Sequence, residues 1–182
     1  MIKITVPEFE VYNSKTNEFT TIPPTDLYLE HSLIAISKWE SLWNRSFLDD
    51  SKDKTAEEVL DYIRCMTINH AESIVYQGLT IENYNTINAY INAPMTATNI
   101  FNFSNNTGSH SRDIITSELI YFWMISFNIP MECEKWHINR LITLIRICQI
   151  KNEPEKKLST SEVMARNRAL NEARRAKLNS KG

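Results

Sequence analysis

Apolar and polar residues alternate at the start of the chain. Ile2, Ile4 and Val6 fall on one face, Pro7 interrupts, and Phe9, Val11 and Tyr12 resume. This period of two predicts strands. Residues 13–17 form a turn cluster, Asn13-Ser14-Lys15-Thr16-Asn17, and Phe19-Thr20-Thr21-Ile22 returns as a second strand ended by Pro23-Pro24. Leu27-Tyr28-Leu29 adds a third short run.

Helical spacing follows. Leu33, Ile36, Trp39, Leu42 and Trp43 predict a helix over 32–44. Thr55-Ala56-Glu57-Glu58 matches a capping box, with Val59, Leu60, Ile63 and Met66 as the expected inner stripe. Ile81, Tyr84, Ile87 and Ile91 predict a third helix, stopped by Pro94. Residues 94–111 read as a long loop. The segment 112–127 is apolar nearly all round, which places it at the centre of the fold. A fifth helix is expected over 133–150, with Trp136, Leu141, Leu144, Ile145 and Cys148 on one stripe.

Charge separates a body from a tail. Residues 1–150 carry a net charge of −7 and residues 151–182 carry +5, giving the −2 of the whole chain. Residues 152–157 read as a linker. Ser159-Thr160-Ser161-Glu162 is a second capping box, and the segment after it is rich in alanine and arginine. Its apolar stripe, Val163, Leu170 and Leu178, is too thin to hold it on the body by burial. Two parts are therefore expected, 1–150 and 151–182. The fold class is α+β, mostly α: an N-terminal β-hairpin or small sheet packed on a bundle of about five helices, with a basic C-terminal helix.

Composition narrows the chemistry. Only 3 glycines occur in 182 residues, beside 22 isoleucines and 18 asparagines, so turns fall to Asn, Asp, Ser and Pro. An AT-rich genome would produce such a bias. Three widely spaced cysteines argue against a disulfide framework and for a reducing compartment. No apolar run approaches the about 18 residues of a membrane span, and the opening Met1–Val6 segment reads as a strand, not a leader.

Cys133 and His137, four apart on the expected helix, can share a face and bind zinc, but two further ligands are missing, so no metal is expected. Glu118, His137 and Arg140 can form a buried polar cluster, catalytic or a structural ion pair. With no nucleophile motif and no glycine-rich phosphate loop, neither catalytic nor cofactor-binding residues are assigned. Arg64, Arg140 and Arg146 are expected to pair with Glu58, Glu118 or Asp61. Trp39 and Trp43 read as core. The tail is the candidate binding element: Arg166, Arg168, Leu170, Arg174, Arg175 and Lys177 suit an acidic protein surface. Its four carboxylates and the acidic body weigh against nucleic acid.

Several blocks resemble one family. They are Glu30-His31-Ser32-Leu33-Ile34-Ala35-Ile36-Ser37-Lys38-Trp39-Glu40-Ser41 and Tyr62-Ile63-Arg64-Cys65-Met66-Thr67, then Pro94-Met95-Thr96-Ala97-Thr98 and Lys135-Trp136-His137-Ile138-Asn139-Arg140-Leu141, and last Met164-Ala165-Arg166-Asn167-Arg168-Ala169-Leu170-Asn171. Over residues 2–182 the chain resembles small proteins of siphovirus-type tailed bacteriophages, some labelled tail assembly chaperones. That resemblance implies a non-enzymatic morphogenesis factor in the host cell cytoplasm. It implies binding to a tape measure or tail tube protein, with homo-oligomers an option, and supplies no catalytic residues. The alternatives are a small structural virion protein or host-targeting factor, and a nucleic-acid-binding accessory protein acting through the basic helix.

Overall fold

The computed structural model describes residues 1–14, 17–49, 51, 53–98 and 114–152, and, near the C-terminus, 164, 167, 168, 170–172, 174 and 175. The expected loop at 94–111 and the linker at 152–157 lie largely outside the described residues. The chain divides into two compact units, Met1–Ile150 and Lys151–Gly182. The architecture is α+β and mostly helical, with the strands at the N-terminus.

Four strands form: β1 (Ile2–Val6), β2 (Phe9–Asn13), β3 (Glu18–Ile22) and β4 (Thr25–Leu29). β1 pairs antiparallel with β4, Ile2 opposite Leu29 and Val6 opposite Thr25. β2 pairs with β3, Phe9 opposite Ile22 and Asn13 opposite Glu18. Equal gaps separate the two ladders on both sides, so they share one register. This is a single long hairpin broken in the middle. The break falls where Pro7 faces Pro24 and Glu8 faces Pro23, because proline has no N–H to give to a ladder. The half nearer the termini is buried through Ile4, Val6, Leu27 and Leu29; Phe9 and Ile22 of the second ladder still pack against the core, while Tyr12 and Phe19 near the turn are exposed.

The outer edge of β4 is not left unpaired. Ile68 N–H donates to the Tyr28 carbonyl at 2.9 Å, and Glu30 N–H to the Met66 carbonyl at 2.9 Å. The Asn69 side chain accepts from Tyr28 N–H at 2.9 Å and donates to the Asp26 carbonyl at 3.0 Å. One carboxamide thus imitates a strand residue and closes an edge that would otherwise be open to pairing.

α1 (Leu33–Trp43) is the central helix. Ser32 caps its start, and Asn44, left-handed at φ 50°, ends it where glycine would be usual. Leu33, Ala35, Ile36 and Trp39 are buried; Leu42, expected on the inner stripe, is 62% exposed. α1 packs against α2 (Ala56–Met66), α4 (Ser117–Ser126) and a short 3-10 helix, Met131–Lys135. The Thr55 capping box forms as expected. The inner face of α2 is Glu58, Tyr62, Ile63 and Met66, with Val59 turned out. Rotation follows from Glu58, whose carboxylate is held by Thr55 N–H and by Arg45 at 2.9 Å, while its carbonyl accepts from Trp39 Nε1 at 2.8 Å.

A 3-10 helix at Ser73–Gly78, not foreseen from the sequence, joins α2 to α3 (Ile81–Asn92). Gly78 is required there, since a Cβ would meet the Phe9 ring at 2.3 Å. Ile87 and Tyr90 form the buried side of α3, and Ile81 is 80% exposed. Asn83, on the opposite side of the first turn, bonds the Thr5 carbonyl, which leaves Ile81 facing outward.

Two expectations are corrected. The apolar helix α4 is not the centre. Only Ser117, Ile120 and Met124 are buried, Trp123 is half-buried, and Phe122 (61%) and Ile125 (66%) are exposed. α4 covers one side of α1, so one stripe of it is covered in return. The fifth helix also starts later than expected: α5 (Ile138–Asn152) follows the 3-10 helix through an extended Trp136 at φ −68°, ψ 157°. Cys133 and His137 therefore do not share a helical face.

Candidate functional site

The residues brought forward by the sequence fall in both units. Arg168, Leu170, Arg174 and Arg175 of the tail are helical and exposed, together with Met164. Arg166 and Lys177 lie outside the described residues. The second capping box does too.

Within residues 1–150, the Glu118–His137–Arg140 cluster does not form. Glu118 is exposed at the first turn of α4. Arg140 is exposed and stacks on the Trp136 ring at 4.1 Å. Arg64 pairs with Asp61 at 2.7 Å, as expected, but Glu58 belongs to Arg45. Among the described residues no group of three or more His, Cys, Asp or Glu is placed to hold a metal ion. Cys133 is buried and its thiol is pushed up by burial, which makes it an inert packing group.

His137 has a different role. It is the last residue before α5, and its Nδ1 accepts from Asn139 N–H at 3.3 Å. Nδ1 therefore carries no proton, so Nε2 does, and it donates to the Tyr90 carbonyl at 3.0 Å. The imidazole caps α5 and ties it to α3. Asn139 repeats the tie, donating to the carbonyls of Ile91 and Ala93. His31 lies edge-on to His137, with ring centres 4.9 Å apart, and its Nδ1 is 2.5 Å from the Tyr62 hydroxyl. Burial, and then the neighbouring His137, push the His31 imidazole down to about 3. Both histidines are neutral, and the Tyr62 phenol is raised by burial. A recess of about 430 Å³ reaches this cluster, lined also by Phe47, Lys54 and Asn88. The cluster locks α1, α2, α3 and α5 together. His31 and His137 lie 106 positions apart, so sequence spacing gave no sign of it.

Glu40 was also missed. It is buried, and its two carboxylate oxygens accept from Phe47 N–H at 2.9 Å and Ser117 N–H at 2.7 Å. It pins the turn after α1 to the start of α4, where the helix dipole favours a negative charge.

Among the described residues, an exposed apolar stripe runs along the outer face of α4. Glu118, Phe122 and Ile125 follow at i, i+4 and i+7, and Ile114 is exposed just before the helix. A recess of about 770 Å³, lined by Ile114, Thr116, Glu118 and Asp49 among others, opens beside it. An exposed apolar stripe rimmed by polar residues marks a candidate interaction surface. The sequence pattern contained these residues but assigned them to the core.

Among the described residues no helix is long and apolar enough to cross a membrane. A scan against family models, a search of curated proteins and a search of solved structures each returned no match.

Proposed function

We propose that this protein is a non-enzymatic assembly factor, a tail assembly chaperone of a siphovirus-type bacteriophage. In this reading it acts in the host cell cytoplasm on a tape measure or tail tube protein. The observation that carries the reading is the outer face of α4. A chaperone for long apolar helices needs an exposed apolar strip that can cover them reversibly, and Ile114, Phe122 and Ile125 supply one. The phage assignment rests on the sequence resemblance. Co-expression with a siphovirus tape measure protein tests the reading. The client should stay in the supernatant with the wild-type chain and precipitate with Phe122→Asp. Equal client solubility with and without this protein would refute it.

The exposed arginines Arg168, Arg174 and Arg175 favour a second reading, a nucleic-acid accessory protein. Binding to a duplex that weakens steeply with salt would select it.

A further inference from the structure

We infer that the α4 face is covered, before any client arrives, by the basic helical tail of a second copy of this chain. The inference rests on the reading of α4 as an interaction surface and not on the identity of the client.

Two observations define the occupant. The first is the character of α4. Its sequence, Ser117–Ser126, has no polar side, yet Phe122 and Ile125 stand in solvent beside the exposed Ile114. A helix of this composition is normally covered on every side. Its uncovered stripe carries Glu118 at one end. A fitting partner is a helix that brings apolar and basic side chains together.

The second observation is charge. Residues 1–150 carry −7 and residues 151–182 carry +5. Two bodies meeting face to face, α4 on α4, would bring like charges together, which disfavours that pairing. The tail has the opposite sign. Leu170 is exposed and Arg174 lies one turn further on the same side. Leu170 can sit on Phe122 and Ile125 while Arg174 reaches Glu118. If each copy gives its tail to the other, the contact is closed and two-fold, the commonest arrangement for a homodimer. The tail then acts as a replaceable cover, and an apolar client helix displaces it.

Sedimentation equilibrium of the full-length protein alone, with no client present, tests this. A dimer is expected, weakened as salt rises from about 0.05 to about 0.5 M because exposed charges are screened. Full-length Phe122→Asp should weaken it about tenfold or more, as loss of a central apolar anchor does. Full-length Leu170→Asp/Arg174→Glu should do the same. The deciding step mixes these two variants. One keeps an intact tail and the other an intact α4 face, so the mixture should associate where neither does alone. Ile125→Asp replaces Phe122→Asp if the latter loses its helical circular dichroism. A monomer at every concentration would overturn the inference. So would a dimer indifferent to both variants, or a mixture that stays monomeric. Failure of client rescue with the dimer intact would remove the chaperone reading and leave this one standing.

Discussion

Trp39 and Phe122 show how differently two aromatic residues on helices contribute. Trp39 is fully buried, its indole N–H donates to the Glu58 carbonyl, and it meets Phe47 edge-on at 5.2 Å between ring centres. Removing it leaves a cavity at the centre and breaks the indole tie between α1 and α2. Trp39→Ala should cost about 3–5 kcal/mol. Phe122→Ala should change stability by no more than about 0.5 kcal/mol, as surface substitutions do. Urea melts of both variants check this. A large loss at Phe122 with little at Trp39 would restore α4 as the centre of the fold. The tryptophan at 39 was legible as core because it repeats with Leu33 and Ile36 at helical spacing. Phe122 was misread because hydropathy reports that a residue can be buried, not that something is there to bury it.

At the scale of elements, the joints between helices are made by polar side chains. Glu40 joins α1 to α4, Asn69 closes the edge of β4, and the His31–Tyr62 and His137–Tyr90 contacts hold the bundle. The histidine pair gives this assembly a pH dependence with a definite sign. Both imidazoles are held neutral in the folded chain, His31 down to about 3 by burial and by its neighbour His137. In the unfolded chain they take up protons near the ordinary value of about 6.5. Below that pH the unfolded state binds protons that the folded state refuses, so stability is full above it and falls as the pH drops. For His31 the fall should approach about 1.4 kcal/mol per pH unit below about pH 6. Urea melts between about pH 7 and about pH 4.5, above the window where most carboxylates titrate, measure it. His31→Asn should flatten the slope whatever it does to the overall stability. A wild-type stability flat across that range would show that His31 is not kept neutral.

For the whole molecule, among the described residues every side chain of the buried core lies between Ile4 and Ile145. The described residues of the tail are exposed. Deleting residues 159–182 should therefore leave the thermal midpoint of the body unchanged, measured by circular dichroism at a concentration below self-association. The same deletion should abolish the dimer proposed above. Unfolding of the shortened chain would mean that the body depends on the tail. Retained association would assign the dimer to another surface.

What the sequence determined by itself was local. Capping at Thr55, the stop at Pro94, the broken strands around Pro7 and Pro23-Pro24, and the division between an acidic body and a basic tail each depend on residues a few positions apart. Backbone preference, hydrogen-bond reach and charge act over that distance. The tertiary structure decided which apolar face meets another face. It turned Val59, Ile81 and Phe122 outward, although the hydrophobic pattern alone could not separate them from Ile63, Ile87 and Met124. It also decided which distant polar groups become partners: His31 with His137, and Glu40 with Ser117. Those pairings arise because burial makes any unpaired polar group costly, so the chain settles where each finds a partner. Residues 77 and 106 positions apart carry no spacing signal for that requirement. The same reasoning explains the candidate surface: its residues are written in the sequence, and its exposure exists only because α1 took the centre that α4 was suited to fill.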